Sequence, residues 1–420
     1  MAHIPLYDLA VSAYTTAVRC ASPFHPKAKK MIQGRSCALK HLQDNRDANR
    51  KYIWIHAASL GEFEQGRPLM EYLKTTFPDI GICLTFFSPS GYEAQKKYPC
   101  ADIVTYLPFD NSNDLSEFIS TLSPIISIFI KYEFWLHTLD LLHQRNIPIF
   151  LISAIFRPNH FFFRPWGSTF RKRLKYYTQI FVQDSPSQTL LQQIGITTAT
   201  VTGDTRMDRV NAILQAGKNI PLIHDICEKI HSQKNKVIVF GSSWEADEKV
   251  YLPITEQYPN LFVIIAPHEI TPAHITFIQT KSKRKVHLLS QLSQTTALTP
   301  AQDLLVIDSI GLLSALYRYA DLAYIGGGFQ SGIHNTAEAA VYGIPVIFGP
   351  KHKKFREAKD LIACGGGFSV SDSEEFQNIL QELLSNEEQL QSSGLAAGCY
   401  IQSQLGATKK IAQYISSYIK

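Results

Sequence analysis

Two glutamates stand just beyond strand ends, and the first is where a carboxylate could act as a base. Glu62 closes His56-Ala-Ala-Ser-Leu-Gly-Glu62, directly after the β-rich run Tyr52-Ile-Trp-Ile55. Glu133 lies in Lys131-Tyr-Glu-Phe-Trp135, directly after Ile125-Ile-Ser-Ile-Phe-Ile130. A carboxylate within hydrogen-bond reach of a hydroxyl can take its proton as the oxygen becomes a nucleophile. Ser59 and Glu62 also have the Ser-x-x-Glu spacing of a capping box, so local pattern alone leaves Glu62 as either cap or base. Glu133 is likewise either a polar group lining a cleft or a helix-start carboxylate beside a core tryptophan. Ser88, Ser90 and Gly91, in Phe87-Ser-Pro-Ser-Gly-Tyr-Glu93, form either a phosphate-holding helix start or an ordinary Ser/Pro turn.

A second constellation suits an anion. Gly326, Gly327 and Gly328 follow the apolar run Leu322-Ala-Tyr-Ile325, and His334-Asn-Thr-Ala-Glu338 comes next. Glycines at a strand end let backbone amides approach a ligand closely. Asn335 reads as a helix N-cap, with Thr336 and Ala337 opening the helix and Glu338 as its third residue. Free amides and the helix dipole would attract a phosphate, and a carboxylate one turn in can accept two ribose hydroxyls. The plainer alternative is a tight turn with a capping box. The spacing matches neither G-x-x-x-x-G-K-[ST] nor G-x-G-x-x-G. Three other strand ends should converge on the same place: Gly241-Ser242-Ser-Trp244, Pro267-His268 and Ser309-Ile310-Gly311-Leu312.

These groups need elements that carry them to one edge. Short β-rich runs at 52–56, 81–86, 103–106, 125–129, 147–153 and 180–182 alternate with amphipathic stretches. A second series runs through 237–240, 261–266, 304–307, 322–325 and 345–348. Strand–helix alternation predicts parallel sheets, and two series predict two Rossmann-like domains joined in the less regular stretch 203–236. Ligands of such sheets bind beyond the carboxyl ends of the strands, where the residues above all fall. The expected division is an apolar segment at 1–26, a first domain at 27–210, a second at 211–404 and a C-terminal helix at 405–420 that could cross back to the first domain.

Composition narrows the class. With 45% hydrophobic and 18% charged residues among 420, the chain is globular and long enough for two cores. A net charge of +5 does not call for nucleic acid, though it suits anionic substrates or an anionic membrane face. The seven cysteines are odd in number and scattered without CxxC spacing, which argues against a disulfide framework or structural zinc. Residues 4–24 are mostly apolar but contain Asp8 and Arg19, too polar for a transmembrane helix. Lys27, Lys29, Lys30, Arg35, Lys40, Arg46, Arg50 and Lys51 follow. That order suits a segment lying on, or anchored in, anionic lipid, with a helix that has a solvated face as the plainer alternative. Arg157, Phe161-Phe-Phe-Arg164 and Arg171-Lys-Arg173 allow a second interfacial element or a buried aromatic cluster beside a solvated basic helix.

In combination and order these motifs resemble the bacterial 3-deoxy-D-manno-octulosonic acid (Kdo) transferases of lipopolysaccharide biosynthesis. The matching pieces are His56-Ala-Ala-Ser-Leu-Gly-Glu62, Glu133-Phe-Trp135, Val201-Thr-Gly-Asp-Thr-Arg-Met-Asp208, Gly241-Ser-Ser-Trp244, Ala266-Pro267 and Gly326-Gly-Gly-Phe with His334-Asn-Thr-Ala-Glu338. The resemblance implies a GT-B fold, two Rossmann-like domains facing a cleft. It implies inverting, metal-independent transfer of Kdo from CMP-Kdo to a lipid A precursor, lipid IVA, with no cofactor. Glu62 would be the general base, and Glu133 and Arg206 would stabilise the transition state. Pro267, His268, Ile310, Gly311, Leu312, Asn335, Thr336, Ala337 and Glu338 would bind CMP, beside Ser242 and Gly326 to Gly328. Ser59, Gly61, Ser88, Ser90, Gly91 and Arg157 would meet the acceptor. The implied place is the cytoplasmic face of the inner membrane, on anionic lipids. The family commonly has Arg where His268 stands and Lys where Arg206 stands, and neither exchange is neutral. A nucleotide-sugar 2-epimerase of the same architecture is the alternative, and a non-catalytic nucleotide-binding protein a third reading.

Overall fold

The computed structural model describes residues 4–110, 112–293 and 296–419. They form two compact units, Met1–Arg209 with Leu405–Lys420 and Val210–Gln404. Each is a parallel sheet with helices between its strands.

The first unit contains β1 (Tyr52–Ala57), β2 (Gly81–Phe86), β3 (Ile103–Tyr106), β4 (Pro124–Ile130), β5 (Ile149–Ala154), β6 (Gln179–Val182) and β7 (Ala199–Val201). Their order across the sheet is β3-β2-β1-β4-β5-β6-β7. β1, β2 and β5 are buried at every position, as strands covered on both faces must be. One face packs Ile53, Ile55, Ile126 and Ile128 against Phe63 and Leu69, while the other carries Trp54, Phe118 and Phe129. The order reverses direction between β1 and β4, so a crevice opens beyond their carboxyl ends.

The second unit contains β8 (Lys236–Ser243), β9 (Leu261–Pro267), β10 (Lys285–Leu288), β11 (Asp303–Val306), β12 (Leu322–Ile325), β13 (Val346–Phe348) and β14 (Gly367–Ser369). The order is β10-β11-β9-β8-β12-β13-β14, with its reversal between β8 and β12. The edge strands β7, β10 and β14 have no counterpart in the sequence reading. They are short, and polar or small residues (Thr200 in β7, Lys285 and His287 in β10, Gly367 and Ser369 in β14) break the apolar run that marks β12 and β13.

The helix Pro5–Ala21 docks through its polar side chains. The Tyr7 hydroxyl donates to Asp110, and Asp8 pairs with His137. Leu6, Leu9 and Phe24 remain 81%, 68% and 89% exposed. Among the described residues no helix is long and apolar enough to cross a membrane. The basic stretch is less free than its sequence suggests. Arg35 donates to the Phe87 carbonyl between the rings of Phe87 and Phe109, Arg46 to the Leu122 carbonyl, and Arg50 pairs with Asp102. The aromatic segment divides as well: Phe162 is core and Phe163 packs on it, whereas Phe161 and Trp166 are exposed.

The C-terminal helix Ala407–Ser416 packs on the first unit, burying Ile411, Ala412 and Ile415 in the cluster that holds Phe150 and Phe181. Its start is satisfied from elsewhere in the chain. The Asp208 carboxylate accepts from the Gly406 and Thr408 amides, both at 2.7 Å. Losing such a cap costs about 1–2 kcal/mol. Asp208→Ala is therefore expected to lower the stability of the first unit by about that amount in urea unfolding, and an unchanged midpoint would show the cap to be idle.

Candidate active site

In the first unit the site is built at the β1/β4 reversal. Ser59 is the N-cap of the helix Leu60–Thr76, but its side chain caps no amide. It donates instead to Glu62 Oε2. The capping box expected from the spacing is thus not formed, and Glu62 is held by a hydroxyl on the half-exposed first turn. One turn on, Gln65 is buried and donates to Asp204 Oδ1, while the Gln65 carbonyl accepts from Thr205. These bonds tie the Glu62 helix to the start of the helix Thr205–Ala216, which carries Arg206.

Arg206 is already paired. Its Nε donates to Asp204 Oδ2 at 2.8 Å, and a terminal nitrogen approaches the same oxygen at 2.7 Å. Burial alone would raise the Asp204 carboxyl. The Arg206 charge and its hydrogen bonds, with help from Gln65, hold it below the usual range instead. Arg206 is therefore a fixed cation, anchored by a buried anion.

Glu133 follows β4 through Lys131, which sits at φ 71°. A non-glycine residue there stores strain, which turns the chain at the strand end. The Glu133 side chain is nearly buried, and Oε2 receives both His56 Nε2 at 3.1 Å and Trp135 Nε1. Its carbonyl accepts from Tyr177 at 2.7 Å. Glu133 is thus not a surface helix-start residue.

Tyr132 is a site residue the sequence reading passed over. Burial pushes its phenol up, and the charges of Arg157, Glu62, Arg206 and Asp184 all act on it. Sequence groups separated by more than 140 positions thus surround one half-exposed ring. Ser88 caps the helix Pro89–Gln95, accepting from the Ser90 amide. Its own amide donates to the Ala58 carbonyl at 2.8 Å, which brings the serine turn beside Ser59. Gly91 is buried against Phe86, so it serves packing. Gly61 is exposed on the first turn of the Glu62 helix.

In the second unit the residues gather at the β8/β12 reversal. Ser242 takes φ 52° as β8 ends, and the register slips there. Gly327 takes φ 90°, and a Cβ on Gly328 would lie 2.5 Å from the Gly349 backbone, so both positions require glycine. Asp247, fully buried, fastens the loop by accepting from the amides of Gly327 at 2.8 Å and Trp244 at 3.1 Å and from the Tyr324 hydroxyl. Three aromatic rings from three strand ends then stack. His268 lies 4.6 Å from Trp244 and 4.3 Å from His334, both at low interplanar angles. The Trp244 indole donates to His334 Nε2 at 3.1 Å.

The structure revises the expected cap. The short helix is Ala337–Ala340, and its N-cap position is Thr336 rather than Asn335. Asn335 still accepts from the Ala337 amide, from one residue further out, because its side chain reaches across the turn. Glu338 is accordingly the second helical residue, and both its oxygens are engaged, by Asn335 and by Ser314. A ribose would have to share these oxygens. The Ser314 bond also places the exposed turn Ile310, Gly311 and Leu312 beside the Asn335–Glu338 segment. The Thr336 hydroxyl is buried without a hydrogen-bond partner among the described residues.

Comparison with known proteins decides the class. Residues 32–209 match the family model of 3-deoxy-D-manno-octulosonic-acid transferase (kdotransferase). The chain is a glycosyltransferase whose residues 32–209 are similar to the Kdo-transferase domain. The similar 3-deoxy-D-manno-octulosonic acid transferase of Rickettsia felis is 28% identical over 353 residues, covering 81% of this chain and 73% of that one. That of Aquifex aeolicus is 28% identical over 359 residues, covering 83% of this chain and 92% of its own. Among solved structures, a putative UDP-N-acetylglucosamine 2-epimerase from Listeria monocytogenes superposes with TM-score 0.61 at 15% identity, over 88% of this chain and 97% of that one. The UDP-GlcNAc 2-epimerase of Neisseria meningitidis gives 0.60 at 16%, over 87% and 100%. Such distant likeness shows the shared GT-B fold alone and carries no epimerase activity to this chain.

The histidine stack yields a prediction. Burial and the neighbouring His268 lower His334 from 6.5 to about 4, so folding favours its neutral ring. The resulting stability is complete above pH 6.5 and is lost as pH falls towards 4, because the unfolded chain binds the extra proton first. An NMR titration of the His334 ring is expected to give a midpoint of about 4. A midpoint at the ordinary value would mean that the ring is neither desolvated nor held by Trp244.

Proposed function

We propose that the chain transfers Kdo from CMP-Kdo to a lipid A precursor, lipid IVA, by a single inverting displacement that needs no metal or other cofactor. The observation that carries this reading is the pair of strand-end carboxylates at the β1/β4 reversal, with Arg206 fastened to the same helix through Gln65, Asp204 and Thr205. Glu62 takes the proton of the acceptor hydroxyl while that oxygen bonds to the anomeric carbon of Kdo. The bond from that carbon to the CMP phosphate breaks as the new one forms, so attack and departure lie on opposite faces. The proton ends on Glu62 and the negative charge on CMP.

Glu133 and Arg206 are assigned to the charge that develops in the transition state. Arg206 is suited to this because its own geometry is already fixed, and preorganised charge costs no reorganisation during reaction. The second unit holds CMP through the glycine loop Gly326 to Gly328, whose first two amides are already bonded to Gly241 and Asp247, the Asn335–Glu338 segment, the turn at Ile310 to Leu312, and Pro267 with His268. Where an arginine is common, the stacked His268 ring presents an aromatic face, and partial burial lowers its basicity. Phosphate binding then falls to backbone amides more than to a standing cation.

Ser59, Ser88, Ser90 and Arg157 are placed to meet the sugar or phosphates of the acceptor. The exposed Leu6, Leu9 and Phe24 support an association with a membrane surface, which is proposed to be the anionic cytoplasmic face of the inner membrane. Removing a general base costs about a hundred- to ten-thousandfold in rate. Glu62→Gln, assayed in EDTA beside the wild type, is expected to lose transfer by at least about a hundredfold while CMP affinity stays unchanged. Wild-type turnover in that variant would leave Glu62 as a helix-start residue, and loss of the wild-type rate in EDTA would contradict the metal-free reading.

A further inference from the structure

His56 is the penultimate residue of the doubly covered parallel strand β1, where an apolar side chain is the rule. Its ring is fully buried, walled edge-on by Phe129 and Trp135. A buried imidazole is costly unless both nitrogens are bonded, and both are. Nδ1 lies 2.9 Å from Thr85 Oγ1 on β2, directly across the ladder, and Nε2 lies 3.1 Å from Glu133 Oε2 beyond β4. Thr85 Oγ1 also receives the Trp54 indole at 2.9 Å.

The polarity of this chain follows from its ends. An indole N–H can only donate, and a carboxylate can only accept. Thr85 accepts from Trp54, and a neutral His56 ring that gives its Nε2 proton to Glu133 has a bare Nδ1 to accept the Thr85 proton. The Ile55 carbonyl is 3.4 Å distant, whereas His56 Nδ1 is at 2.9 Å. We infer that Trp54, Thr85, His56 and Glu133 form a one-directional hydrogen-bond relay, in which His56 is a neutral Nε2–H tautomer that positions Glu133. Thr85 donates to Nδ1, and Nε2–H donates to Glu133 Oε2. Trp135 supplies a second donor to the same oxygen. No hydrogen bond engages Oε1 among the described residues, so the relay fixes one oxygen and leaves the other to face substrate.

His56 touches no substrate in this arrangement. It acts through Glu133, and its importance for transfer rests on the role proposed for Glu133 above. The tautomer itself does not. Nitrogen chemical shifts of the His56 ring in the full-length wild type are expected to show Nε2 protonated and Nδ1 bare. A doubly protonated ring, or a proton on Nδ1, overturns the relay whether or not the chain transfers Kdo.

Thr85→Val keeps the shape of the side chain and removes the hydroxyl, and Thr85→Ser restores it. Misplacing a reacting group slightly costs up to about a hundredfold. The Val variant is expected to lose kcat by about ten- to a hundredfold with an unchanged KM for the sugar nucleotide, and the Ser variant to recover most of it. The shifts should report a disturbed tautomer in the first variant and a native one in the second. A wild-type kcat in Thr85→Val, or a fall in kcat that Thr85→Ser fails to reverse, contradicts the positioning role. If the Val variant does not fold, the wild-type spectrum and the Ser variant still decide the question.

Discussion

The parallel hydrogen-bond ladder governs the placement of every chemical group in this chain. Each of the strand pairs in the two sheets is parallel, and helices between strands cover the faces. A strand buried on both sides has little room for unpaired polar groups, so chemistry is driven to the strand ends. Where the strand order reverses, neighbouring helices diverge and leave a crevice. Glu62 and Glu133 stand at the reversal in one sheet, and Ser242, Trp244 and the glycine triplet at the reversal in the other.

Polar groups that do enter the interior are there to hold these ends still. Asp204 anchors Arg206, Asp247 anchors the glycine loop through the Gly327 amide, and His56 meets Glu133 from inside the sheet. Glu248 is buried as well and bonds to Ser243 and His274, which stiffens the start of the helix Glu245–Thr255. Buried polar groups of this kind add little net stability. Their value lies in a geometry set before substrate arrives.

Much of the scaffold was legible in the sequence because central strands are long, apolar and bounded by turn residues. β2, β3 and β12 have the ends their composition suggests, β8 runs three residues past its expected end, and the other strands that were read differ by one or two residues. The edges β7, β10 and β14 were not legible, since polar or small residues such as Thr200, Lys285, His287 and Gly367 interrupt their short runs, whereas the edge β3 reads as the β-rich run Ile103-Val-Thr-Tyr106. The motif residues were legible as types, but their partners were not. Ser59 with Glu62 looks like a capping box at the level of spacing, and only the side-chain geometry shows the hydroxyl turned onto the carboxylate. Asn335 missed its expected position by one residue because an Asn side chain can cap from outside the helix. The stack of Trp244, His268 and His334 draws on three separate strand ends, and no local pattern could reveal it. Tyr132 was hidden in the same way, since the charges around it come from four distant segments.

The most direct measurement is the mass of the lipid recovered after the full-length chain is incubated with CMP-Kdo and a lipid A precursor. Transfer as proposed gives a lipid heavier by one or more Kdo residues, with one CMP released for each. Lipid recovered at its starting mass, from protein that is folded and binds CMP, would contradict it.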